Sequence, residues 1–189
     1  MIIDFRKLNC KPDILSLKGS DIERVDNYKY LGLYLDNSLS WNLDHIDFLI
    51  KKLNVRMYCM RKLHSFSISP EILSVFYNSV ICSVWRYCLL AWGGNISQCD
   101  KDRLNRLIKR ASRIIGTEQT GVGDTYRSLL PQKLHTVWTD VSHPLHNLLA
   151  DQLIVRRGRL RLPSFSTKTR HPLSFIPQAI RCHNCSFKR

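Results

Sequence analysis

The sequence predicts an α+β chain, mainly α: a short antiparallel β-meander, then a bundle of three to four helices, then a basic, partly disordered tail. Three observations predict it. Strand-like alternation is confined to the segment before Asn37. From Leu43 to Ile115 apolar residues recur instead at spacings of three and four. Beyond Val141 that period dissolves into short apolar pieces among Arg, Ser and Pro, with Asp151 the only remaining acid. The expected units are residues 1–36, 40–140 and 141–189.

Ile2 to Phe5 reads as a short strand and Ile14 to Leu17 as a second. Gly19-Ser20-Asp21 is a turn signal. Ile22 to Val25 and Tyr28 to Leu35 read as further strand, broken at Asp26-Asn27. In the latter, Leu31, Leu33 and Leu35 alternate to one face, and Tyr28, Tyr30, Gly32 and Tyr34 to the other. A glycine within a strand weakens it and often marks close approach of another backbone. A few short strands are marginal alone, so this meander calls for a partner surface.

Ser40 or Asn42 can cap the first helix, with Asp44 and Asp47 near its positive end. Its apolar series is Leu43, Ile46, Ile50, Leu53, Met57 and Met60, running to about Leu63. Ser69-Pro70-Glu71 opens a second helix with proline at its preferred first position. That helix carries Ile72, Leu73, Phe76, Val80 and Val84 and should end near Gly93-Gly94. A third spans Gln98 to Ile115 and stops at Gly116, and a shorter one follows Gly123-Asp124. The most apolar stretch, VICSVWRYCLLAWGG, is short and carries Arg86, so it reads as a buried helix rather than a membrane span.

Charge narrows the function classes. Lys and Arg outnumber Asp and Glu by 29 to 15, a net charge of +14, which favours a polyanionic partner: RNA, DNA or an RNA–DNA hybrid, with no membrane. On the third helix Leu104, Leu107, Ile108, Ala111, Ile114 and Ile115 form one face, and Arg103, Arg106, Arg110 and Arg113 another, with Lys109 beside them. Four arginines in one stripe repel each other unless something negative lies across them. Phosphates suit arginine's planar fork. Lys51, Lys52, Arg56, Arg61 and Lys62 give the first helix a looser basic set, and Arg156, Arg157, Arg159 and Arg161 form a third in IVRRGRLRLP. The last reads as an edge strand or as a basic arm that orders on nucleic acid.

Catalytic signals are fragmentary. Cys182-His183-Asn184-Cys185 has the spacing of half a zinc site but lacks a second pair. His45 and Asp47, two apart on a helix, point about 200° apart and cannot grip one metal. No two aspartates are adjacent, and GTEQTGVG lacks the Lys-Ser/Thr of a phosphate-binding loop. No metal or cofactor site and no catalytic residue is assigned. Seven scattered cysteines do not suggest a disulfide framework, and MIIDFRKLNCK has no apolar run for a signal peptide. A reduced compartment, cytoplasm or nucleus, is the expected location.

MIIDFRK, IERVDNYKYLGLYLDNSLSW, the helix ending in MRKL, SPEILSVFYNSVI, LNRLIKRASRIIGTE, DTYRSLL, SHPLHNLL and FIPQAIR, in that order, resemble the region after the catalytic palm in reverse transcriptases of non-LTR (LINE-type) retrotransposons. The resemblance covers nearly the whole chain. It implies a thumb-like helical unit whose meander completes a palm supplied by an upstream sequence. It also implies that Tyr28, Tyr30, Leu31 and Gly32 form a primer-grip-like strand near the primer backbone or palm, and that Arg103 to Arg113 face a template–primer duplex. The family's paired Asp-Asp metal site is missing here, so the expectation is a truncated, non-catalytic, nucleic-acid-binding remnant. A shorter stretch, LIKKLNVRMYCMRKLHS, resembles the N-terminal segment of AlkB-homologue tRNA-modifying proteins, an iron/2-oxoglutarate oxygenase plus methyltransferase family. That implies an accessory segment without the catalytic domains. The third alternative is a structural fragment with no function of its own.

Overall fold

The computed structural model describes residues 14–37, 41, 44–150, 159–162 and 171–186. The expected strand Ile2–Phe5, the caps Ser40 and Asn42, and Arg156 and Arg157 lie outside these residues. The described chain is mainly helical, with two short antiparallel strand pairs at its start.

The strands form two separate hairpins rather than one continuous meander. β1 (Ser16–Leu17) pairs with β2 (Ser20–Asp21), and Ile22 to Val25, expected as strand, is irregular. The stretch read as one strand from Tyr28 to Leu35 folds back on itself. β3 (Asn27–Tyr30) pairs with β4 (Leu33–Asp36), placing Tyr30 opposite Leu33 and Tyr28 opposite Leu35. Leu31 (φ 47°) and Gly32 (φ 84°) form the two-residue loop. Positive φ at both loop positions is what the common type I′ hairpin requires, because its twist matches that of the strands. Gly32 is therefore a turn residue, and the alternation of tyrosines that runs through it ends at Tyr30.

The helical core is built on α1 (Asp44–Ser65), which buries Ile46, Leu49, Leu53, Met57 and Met60. The second expected helix is broken into pieces: α2 (Pro70–Phe76), a π-helical segment (Tyr77–Cys82), α3 (Ser83–Arg86) and α4 (Leu89–Trp92). Its buried residues Leu73, Tyr77, Ile81, Trp85 and Leu89 recur strictly every four positions. On an ideal α-helix each such step overshoots one turn by about 40°, so the stripe would wind off its partner. The π-helical segment takes more residues per turn and brings the stripe back toward the core. The side chain of Arg56 donates to the Val80 carbonyl within that segment. After Arg86 the chain breaks at Cys88, which is left-handed (φ 49°), and the Trp92 indole donates to the Tyr87 carbonyl across the break at 3.0 Å. By length and composition Pro70–Trp92 is apolar enough to cross a membrane.

α5 (Gln98–Ile115) has the expected bounds. The Ser97 hydroxyl accepts from the Asp100 amide at 3.1 Å and donates to its carboxylate at 2.7 Å, and Gly116, at φ 82°, ends the helix. α6 (Val122–Thr139) is as long as α5, not shorter as expected, and continues through Pro131. A proline within a helix leaves the carbonyl four residues earlier without its amide. Here that is Arg127, whose carbonyl faces the Cys182 thiol at 3.8 Å.

That thiol belongs to α8 (Phe175–Ser186), which follows a short α7 (His146–Ala150) and packs along α6 with Ala179 and Ile180 fully buried. Part of the tail thus has regular structure. Its isolated apolar pieces find their period only against α6.

Candidate nucleic-acid interface

The apolar face of α5 sits against α1, α2 and α6. This leaves the arginine stripe along the edge and outside of the helix. Arg103 lies nearest the core and is half-buried. Its guanidinium bridges two carboxylates: Nη2 meets Asp47 of α1 at 2.6 Å and Nη1 meets Asp100 at 2.9 Å. Both contacts hold its pKa above the ordinary arginine value, the Asp47 bond most of all. Arg103 is a cross-brace between helices, and its charge is already answered.

Arg106, Lys109, Arg110 and Arg113 are exposed and make no ion pair among the described residues. Two of the acids that might dilute them are paired with Arg103. Asp100 is buried in the cap and on Arg103, Asp47 is on Arg103, and Asp102 accepts from Gln98 at 3.0 Å. Four exposed cations remain on one helix, Arg106, Arg110 and Arg113 spaced four and three residues apart with Lys109 beside them, and exposed Asp102 lies four residues before the first.

The α1 cations divide. Lys51 is exposed, as are Arg61 and Lys62 at the far end. Lys52 and Arg56 instead line a cleft of about 450 Å³ against the loop residues Leu31 and Gly32. Arg159 and Arg161 are exposed on either side of buried Leu160. Leu160 is held by Asn184, whose side-chain amide accepts from the Leu160 N–H and donates to its carbonyl, both at 2.9 Å. Asn184 therefore mimics a paired strand, and this is the structural use of the Cys182–Cys185 stretch. Among the described residues no group of three or more His, Cys, Asp or Glu is placed to hold a metal ion.

Tyr28, Tyr30, Leu31 and Gly32 are all exposed. The group that approaches the loop is Tyr87, whose hydroxyl donates to the Leu31 carbonyl at 2.8 Å and whose ring lies 3.8 Å from where a Gly32 Cβ would be. Sequence reasoning missed Phe48 and Lys29 here and weighed His45 only as a metal ligand. His45 is buried between Trp41 and Trp92, Phe48 packs against Tyr34 with ring planes tilted by 54° and centroids 4.9 Å apart, and Lys29 lies over the Phe48 ring at 5.3 Å. The two aromatic residues following the Asp44 helix start were the available signal for a hairpin docking site; Lys29 had none.

No family model, curated protein or solved structure matches the chain.

Proposed function

We propose that this protein binds nucleic acid along the outer edge of α5, as a thumb-like unit of the kind that follows the palm in non-LTR reverse transcriptases, with no polymerase centre of its own. The observation that carries the reading is the state of the stripe: Arg106, Lys109, Arg110 and Arg113 are exposed, while Asp47 and Asp100 are paired with Arg103. Holding four like charges on one helix costs free energy that a row of phosphates offsets. Arginine's fork favours phosphate oxygens over a diffuse counterion. The uneven charge of the whole chain, +14 overall, adds long-range attraction for the same partner.

The test is binding of the full chain to an RNA–DNA hybrid over a salt series. Affinity should fall steeply with salt. Replacing Arg106 and Arg110 together by Ala should lower the slope of log K against log salt by about 1 to 2. An unchanged slope removes α5 as the contact surface. Duplex DNA and single-stranded RNA in the same series rank the partners.

A further inference from the structure

The cleft between the β3–β4 loop, α1 and the π-helical segment has its own chemistry, separate from α5. Its volume of about 450 Å³ lies within the usual range for small-ligand sites. Lys52 lines the cleft with its ammonium 5.8 Å from the Phe48 ring centroid, and the Lys29 ammonium, outside the lining, stands 5.3 Å from the same ring. Arg56 follows one turn along α1, and no acidic side chain lines the cleft. Cation–π attraction to one phenyl ring offsets only part of the repulsion among three cations, so the mouth is poised for an anion.

The walls are apolar and aromatic. Phe48 forms one, and Tyr87 the other, its ring fixed by the hydroxyl bond to the Leu31 carbonyl. His45 also lines the cleft and is 2% exposed. Its Nδ1 faces the Tyr34 amide at 3.5 Å, an assignment that places the ring proton on Nε2. That Nε2 is buried and has no hydrogen-bond partner among the described residues. A buried donor without an acceptor is costly.

We propose that this cleft binds a nucleoside monophosphate, with its phosphate at Lys52 and Arg56 and its base against Phe48 and Tyr87. A bare anion would leave the rings unused, and an apolar ligand would leave the cations unanswered. A nucleotide joins a π-face to a charged group, and stacking and phosphate contact contribute separately.

The probes are adenosine monophosphate, adenosine and inorganic phosphate, titrated into the full chain at low salt and followed by calorimetry. The monophosphate should bind about tenfold or more tighter than either part alone. Lys52→Ala, at an exposed side chain, should weaken it by about tenfold while changing adenosine binding little. The Arg106→Ala/Arg110→Ala protein should bind the monophosphate unchanged, which separates this site from the α5 surface. A 5′-phosphorylated dinucleotide that competes assigns the cleft to strand ends, and one that does not assigns it to free nucleotide. The inference is overturned if the monophosphate binds no tighter than phosphate, or if its binding survives Lys52→Ala and is lost in the α5 protein.

Discussion

Asp47 on α1 and Arg103 on α5 meet at 2.6 Å and tie the two helices together. The pair is half-exposed, with side chains 42% and 35% accessible, so solvent screens it. Asp47→Asn should cost under about 1 kcal/mol, read as a small shift in the urea midpoint. The sharper expectation concerns binding. Arg103→Ala should leave the salt slope for nucleic acid unchanged, while Arg110→Ala, about two helical turns further along the stripe, should lower it by about 1. Equal effects from the two would show that Arg103 leaves Asp47 to meet phosphate.

Adjacent substitutions in the β3–β4 loop should act in opposite directions. Leu31 is 71% exposed and sits at φ 47°, a conformation that asparagine tolerates far better than leucine. Leu31→Asn should stabilise by about 0.5 kcal/mol. Gly32→Ala meets no steric block, only Tyr87 at 3.8 Å, but must hold φ 84°. It should destabilise by about 1 kcal/mol, a fall of roughly 2–4 °C in the melting temperature of a chain this size. Thermal melts of both variants that moved the same way would contradict the positive-φ hairpin.

His45 makes stability depend on pH. Burial lowers its pKa to about 4, from about 6.5 in an unfolded chain. The folded state therefore holds the neutral ring while the unfolded state takes up a proton. The associated stability is present above pH 6.5 and is lost as pH falls toward 4. Between pH 7.5 and 5 the loss should be about 2 kcal/mol, seen in urea melts at the two values. His45→Gln should flatten that dependence. A His45→Gln protein with the parental pH profile would assign the effect elsewhere.

Asn184→Ala removes both bonds to Leu160 and should cost about 1–2 kcal/mol locally. The readout is limited trypsin digestion: cleavage after Arg159 and Arg161 should accelerate several-fold, on the order of the lost protection, before the helical core is cut. Unchanged cleavage there would mean that the burial of Leu160 alone holds the segment.

Much of the helical framework was legible in the sequence because its signals are local. Pro70 at a first helical position, Ser97 before Gln98 and Gly116 after Ile115 each act on backbone groups within one turn, and the α5 bounds follow from them. The strand from Tyr28 to Leu35 was misread for a related reason. Alternation reports which faces are apolar, and it runs unbroken through a two-residue turn. The signal was Gly32, whose positive φ is a turn requirement as well as a gap in a strand. α6 ran longer than its pattern because the cost of Pro131 is shared with α8. The tail helix was hidden because its apolar stripe is short and gains its stability from α6.

The amino-acid order by itself determined the class of the fold, the ends of α5 and the alignment of Arg103, Arg106, Arg110 and Arg113 on that helix, since each depends on neighbours within a few positions. The tertiary structure alone decided that Arg103 is spent on Asp47, 56 positions away, while the other three stay open. It alone brought Lys52, Arg56 and Tyr87 around one cleft. Charge is a property of each residue, but whether it is available depends on which carboxylate the packing of the helices sets against it.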